Sequence, residues 1–153
     1  MSDTVLTVNF INYSSIQWNL DQWGSTTESG VSGITQQPSP SMEPNAGQTT
    51  FQYQQDMAGV LADGVAGIWC CWNNGTSRIG VKLWAPLQMF GIGSSPFWYY
   101  MSDTDPESAN INWVCNDNRA QQYTWPASLG YNIVAVPNSQ SSALTLNVTF
   151  QDA

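Results

Sequence analysis

The residue types that carry most enzyme chemistry are sparse in this chain, and histidine is absent. Without imidazole there is no ordinary general base near neutral pH, no histidine metal ligand and no Ser-His or Cys-His nucleophile pair. The three cysteines, Cys70, Cys71 and Cys115, with carboxylates at unsuitable spacing, do not make a zinc site. The densest acidic run is SDTDPES, in which Asp103, Asp105 and Glu107 alternate. Alternating carboxylates can hold Ca²⁺, but this run lacks the central glycine and distant bidentate glutamate of an EF-hand loop. A solvated acidic turn is the better reading. A carboxylate pair for glycoside hydrolysis needs one acid with a raised pKa, and eleven acidic residues always allow such a pair to be imagined. There is no Gly-rich phosphate loop. The sequence therefore points away from an enzyme and predicts neither cofactor nor metal.

Aromatic chemistry is what the chain has in quantity. Eight tryptophans are present: Trp18, Trp23, Trp69, Trp72, Trp84, Trp98, Trp113 and Trp125. Most should fill a core, and Trp18 with one of Trp69 or Trp72 suits that role. The stretch PLQMFGIGSSPFWYY, residues 86–100, is harder to bury. It has no charge, two prolines and two glycines, and reads as a loop, yet it carries Met89, Phe90, Ile92, Phe97, Trp98, Tyr99 and Tyr100. Loops run over surfaces, and consecutive residues on a strand face opposite ways. Part of Phe97–Tyr100 must therefore point outward or onto another surface. Trp and Tyr suit membrane interfaces, stack on sugar faces and clasp quaternary ammonium groups.

The charge balance narrows the partner. Only Arg78, Lys82 and Arg119 are cationic, and the formal charge is −8. Nucleic acid, whose binding rests on phosphate neutralisation, is excluded as a partner, and an anionic membrane would repel the chain. A zwitterionic lipid or an uncharged glycan fits. The N-terminal segment MSDTVLTVNF has no basic or apolar leader character, so the sequence predicts no signal peptide. It also has no apolar run near the roughly 20 residues of a membrane span. A protein that stays cytoplasmic or is released without a leader is expected, with reduced thiols and unused sequons at Asn12, Asn74 and Asn147.

The elements that must position these residues are short strands. In ALTLNVTF, Leu144, Leu146, Val148 and Phe150 alternate with polar residues, and Leu6, Val8 and Phe10 do the same near the start. VAGIWCCW and RIGVKLWA read as a hairpin about Asn73-Asn74-Gly75. TTFQYQQ and LGYNIVAV are further strands. Residues 36–47 read as a long polar loop, and residues 105–112 could hold a short helix. Charged residues are only 9% of the chain, and Ser, Thr, Asn, Gln and Gly fill the deficit. The length of 153 residues suits one domain. The expected fold is all-β, one compact sandwich over residues 1–153.

The order of motifs resembles the actinoporins, the cytolysins of sea anemones, and their relatives. The resemblance runs through LTVNFINYSSIQWNL, ESG, DGVAGIWCCWNNGTSRIGVKLWAPLQ and SLGYNIVAVPNSQSSALTLNVTF. It implies a β-sandwich flanked by helices, with an aromatic cluster and a phosphocholine pocket at one end that together recognise sphingomyelin-containing bilayers. Position by position, it implies pocket roles for Ser29, Ala66 and Pro86. It sets Trp113 in the region of the family's clustered tyrosines, and the aromatic membrane loop in residues 86–100. The chain departs from the family in several places. Trp84 stands where the family has a serine, Ile92 lies nearest its pocket tyrosine, and residues 116–119 (NDNR) do not reproduce its Arg-Gly-Asp motif. The first strand begins near Val5, which leaves no room for the family's pore-lining helix of roughly 20 residues.

The resemblance and the residues together imply a non-enzymatic protein that docks on membranes and recognises a lipid headgroup, of phosphocholine or sphingomyelin type. Such a protein would be a cytolysin or defence toxin with weak or no pore formation alone. Fungal fruit-body lectins share a similar sandwich without the helix, so carbohydrate binding is the alternative. A third reading buries the aromatic patch in a homo-oligomer.

Overall fold

The computed structural model describes residues 4–27, 31–56, 65–86, 97–102, 114–116, 123–125, 131–140 and 143–152. These form twelve strands: β1 (Thr4–Asn12), β2 (Trp18–Thr27), β3 (Val31–Gln36), β4 (Ser41–Met42), β5 (Gly47–Asp56), β6 (Val65–Asn73), β7 (Arg78–Pro86), β8 (Phe97–Ser102), β9 (Val114–Asn116), β10 (Tyr123–Trp125), β11 (Tyr131–Gln140) and β12 (Ala143–Asp152). They make two six-stranded sheets, ordered β10-β11-β12-β1-β5-β3 and β4-β2-β6-β7-β8-β9. No helix occurs among the described residues. The all-β sandwich expected from the sequence is what forms. The helices implied by the resemblance are not found in the described part, and the suggested helix at 105–112 lies outside it.

Period-two alternation explains the layering. Leu6, Val8 and Phe10 of β1, Phe51 and Tyr53 of β5, and Leu146, Val148 and Phe150 of β12 are buried. They meet Ile68, Cys70 and Trp72 of β6 and Ile79, Val81 and Leu83 of β7. Aromatic rings knit the sheets together edge to face: Phe10–Trp72 at 5.4 Å, Trp18–Phe150 at 5.1 Å and Trp23–Phe51 at 5.7 Å between centroids. Trp18 and Trp72 are the core tryptophans, and Trp69 faces out. The first and last strands pair in parallel at the centre of their sheet, from Val5↔Ala143 to Asn12↔Phe150.

On the outer face of that sheet, uncharged side chains bond across the strands. Gln52 Nε2 donates to Thr7 Oγ1 at 3.0 Å, Thr50 Oγ1 to Asn9 Oδ1 at 2.8 Å, and Asn9 Nδ2 to Asn147 Oδ1 at 2.9 Å. Such pairs fix register, and they account for the abundance of Asn, Gln and Thr.

Cys70 and Cys71 are both buried and adjacent on β6, so they fall on opposite faces, and only Cys70 joins the core. Burial, and secondarily the neighbouring Cys71, pushes the Cys70 thiol well above its ordinary range. Cys70 should therefore resist a thiol reagent in the native protein at neutral pH and react fully once the chain is unfolded, as read by mass spectrometry of labelled peptides. Rapid native labelling at Cys70 would contradict this packing.

Candidate functional site

The sandwich has two ends, and the chain finishes them differently. One end is closed by a polar knot. Asn12 is fully buried, and its amide nitrogen donates to the carbonyl oxygens of Ile16, Met42 and Glu43 at 2.7, 3.2 and 3.1 Å. Its Oδ1 accepts from the Ser14 backbone N–H and hydroxyl, and Ser14 Oγ in turn accepts the Trp18 indole N–H at 3.1 Å. The turn before β5 is sewn to the same knot, since Asn45 N donates to Ser14 O and Ala46 N to Asn12 O. The β6–β7 turn lies at this end too, through the pair Asn19↔Asn73.

The other end is where the candidate residues gather. Thr27 of β2 pairs with Ala66 of β6, and Ala66 pairs with Ala85 of β7. Pro86 closes the same end opposite Val65, and Trp84 sits opposite Gly67. This end is about 26 Å from the β6–β7 turn, counting the eight steps from Asn73 to Val65 at roughly 3.3 Å each. Ala66 of β6 and the pair Trp84 and Pro86 of β7 thus share one end of two adjacent strands.

They do not share one face. Ala66 and Ala85 continue the core-side series of Ile68 and Leu83. Gly67 and Trp84 continue the outward series of Trp69 and Lys82. Ala66 is therefore a position at the mouth between the sheets, and Trp84 is a position on the outer flank beside it.

Ser29, Met89, Phe90, Ile92 and Trp113 lie outside the described residues. The strands flanking Ser29 and the segment from Met89 to Ile92 end at the mouth: Thr27 beside Ala66, Pro86 beside Val65, and Phe97 beside Leu83. The strand after Trp113 starts instead at Val114 opposite Tyr99, which pairs with Val81, four residues along β7 from Ala85. The acidic run at Asp103, Asp105 and Glu107 also falls outside the described residues. Among those described, no cluster of His, Cys, Asp and Glu could hold a metal ion.

One expectation about element type is corrected. Phe97, Trp98, Tyr99 and Tyr100 do not belong to a loop. They form β8, pairing with β7 from Leu83↔Phe97 to Arg78↔Ser102 and with β9. Only residues 87–96 separate β7 from β8. The aromatic and β-favouring character of FWYY outweighs the turn signals just before it.

The pairing of β8 creates a row that motif reading did not anticipate. Gly24, Trp69, Lys82, Trp98 and Cys115 are successive partners across β2, β6, β7, β8 and β9. The Trp69 ring lies so close to Gly24 that a Cβ there would come within 2.9 Å of it. Partial burial lowers the pKa of Lys82. The signal that could have exposed this row was the alternation Gly80-Lys82-Trp84, which puts a cation and an aromatic on one face of β7.

No protein-family model matches the chain, and no curated protein matches it. Among solved structures, the chain is similar to the lipid binding protein Nakanori, with a TM-score of 0.67 and 9% sequence identity. The match covers 96% of this chain and 70% of that one. At that identity the likeness concerns the fold alone. No described helix is long and apolar enough to cross a membrane, which says nothing about strands.

Proposed function

We propose that the protein is a non-enzymatic, actinoporin-like lipid-binding protein that docks on membranes through the mouth end of its sandwich. The observation that carries this reading is the convergence at that end. Ala66 pairs with Ala85 and Val65 with Pro86 at the end of β6 and β7, next to Trp84, and the strand ends flanking Ser29 and Met89–Ile92 arrive at the same place. The sandwich shared with a lipid-binding protein supports it.

In this reading a zwitterionic headgroup is the target, because a chain of charge −8 is repelled by anionic surfaces. The facing pair Ala66 and Ala85 sets two small residues at the mouth, where a headgroup would dock. Trp84, Phe90 and Trp98 supply aromatic area for the interface or a quaternary ammonium. Burial of apolar surface contributes about 25 cal/mol per Å², so a few hundred Å² suffices for reversible docking. Pore formation by this chain alone is expected to be weak or absent.

Pelleting with phosphatidylcholine vesicles, with and without sphingomyelin, tests the reading. Co-sedimentation with at least one composition is expected, and no binding to either would overturn it. Carbohydrate recognition is the second reading, favoured by the uncharged Asn, Gln and Thr face. Saturable, sugar-competed binding on a glycan array, without vesicle binding, would establish it instead.

A further inference from the structure

We propose that the β6–β7 turn is a self-modification site, at which Asn74 converts through a cyclic imide to aspartate and isoaspartate with water as the only co-reactant. Three features of the turn converge on this chemistry. The first is the dipeptide. Asn74-Gly75 is the only Asn-Gly pair in the chain, and glycine leaves the attacking backbone nitrogen unshielded. Gly75 is exposed, has φ +98°, and an added Cβ would meet nothing within 4 Å. By contrast, Asn12 precedes Tyr13 and Asn147 precedes Val148, whose side chains crowd that nitrogen.

The second feature is the electrophile. Asn74 Oδ1 accepts three hydrogen bonds: from Thr76 N at 3.0 Å, Thr76 Oγ1 at 3.1 Å and Ser77 N at 2.8 Å. Donors already aimed at a carbonyl oxygen stabilise the negative charge that develops there when a nucleophile adds. The third is the leaving group. Asn74 Nδ2 is buried and has no hydrogen-bond partner, so its departure breaks no hydrogen bond and removes a buried donor that costs free energy.

The steps balance. The Gly75 backbone nitrogen gives its proton to solvent hydroxide and bonds to Cγ of Asn74, sending an electron pair onto Oδ1. Collapse of this intermediate breaks the Cγ–Nδ2 bond and releases ammonia, which takes its proton from water. Water then opens the imide at either carbonyl, giving aspartate or isoaspartate. One water is consumed and one ammonia leaves. The aspartate product retains an acceptor for the Thr76 and Ser77 donors. The isoaspartate product adds a methylene to the backbone next to the Asn73↔Arg78 pair and loosens that end of the hairpin. Either product adds one negative charge beside Arg78, whose Nε lies 3.8 Å from Asp21.

The test is incubation of the folded protein at mildly alkaline pH, followed by peptide mapping and enzymatic detection of isoaspartate. The free peptide of residues 72–78 (WNNGTSR) serves as reference. Asn74 is expected to convert ahead of every other asparagine, and Gly75→Ala to slow the conversion severalfold. Because Gly75→Ala strains the turn, Asn74→Asp provides a second check: it has no amide to lose, so isoaspartate should form at that position at least severalfold more slowly than from Asn74. An Asn74 that stays intact in the folded protein while the free peptide converts would overturn the proposal. So would conversion at an unchanged rate in Gly75→Ala.

Discussion

Asn12→Ala should lower the unfolding free energy by about 4 kcal/mol, because truncation strands several buried groups at once. The carbonyls of Ile16, Met42 and Glu43 lose their shared donor, and Ser14 loses the acceptor that orients it toward Trp18. Each such group costs roughly 1–3 kcal/mol when left unpaired, with partial relief from water that enters the gap. For a chain of this size the melting temperature should fall by roughly 12 °C. Asn12→Asp should not rescue the loss, since a carboxylate there faces three carbonyl oxygens and has no proton to donate at neutral pH. The exposed neighbour provides the control: Ser15→Ala leaves the backbone bond from Ser15 N to Asp152 in place and should change stability by less than about 0.5 kcal/mol. Urea unfolding with an unchanged m-value reads all three. A loss below about 1 kcal/mol for Asn12→Ala would mean that the knot is not what closes this end.

Gly47→Ala is the second large effect, and its cause is purely steric. Gly47 opens β5 opposite Asn12 and donates its N–H to Glu43 O at 3.1 Å. A Cβ on Gly47 would overlap the backbone N and O of Glu43. Neither atom belongs to a flexible side chain, so the turn from Glu43 to Ala46 must shift as a whole. That turn already holds Asn45 at φ 62° and Ala46 at φ 101°, left-handed backbone that non-glycine residues adopt at some cost. Shifting it also pulls Asn45 N from Ser14 O and Ala46 N from Asn12 O. A destabilisation of about 3 kcal/mol is expected, measured by the same unfolding experiment. Gly33→Ala is the matched control, because a Cβ there meets nothing within 4 Å.

Strands with one buried face were legible in the sequence because burial writes itself as alternation. Leu6-Val8-Phe10 marks β1, Ile79-Val81-Leu83 marks β7 and Leu146-Val148-Phe150 marks β12, and all of these residues are buried; VAGIWCCW is legible as the hairpin partner of β7, and its Ile68, Cys70 and Trp72 are buried too. The β6–β7 turn followed from Asn74-Gly75, and Gly75 has the positive φ that such a turn requires. Strands without that signature were not legible. β4 has only two residues, and β8 hides behind proline, glycine and serine in a run where every residue of Phe97–Tyr100 is apolar or aromatic. A run with no alternation does not reveal its faces.

The candidate site divides along the same line. Motif order suggested Ala66 and Pro86, and register places both at the mouth. Alternation with Lys82 sets the face of the Trp84 position, but its place beside Gly67 of β6 needed the pairing. The row of Gly24, Trp69, Lys82, Trp98 and Cys115 needs five strands in register, and long-range register is not written in any local stretch.

The docking proposal turns on which end of the sandwich meets the membrane. The β6–β7 hairpin allows both ends to be tested in one element, with Pro86 at the mouth and Thr76 in the exposed turn at the far end. A carboxylate at the docking end must be desolvated or kept from the interface, so Pro86→Asp should weaken co-sedimentation with sphingomyelin-containing phosphatidylcholine vesicles by at least about tenfold, or 1.4 kcal/mol. Thr76→Asp should leave it unchanged, with both variants first shown to keep the native melting transition. Equal binding by the two variants, or loss with Thr76→Asp alone, would contradict docking through the mouth.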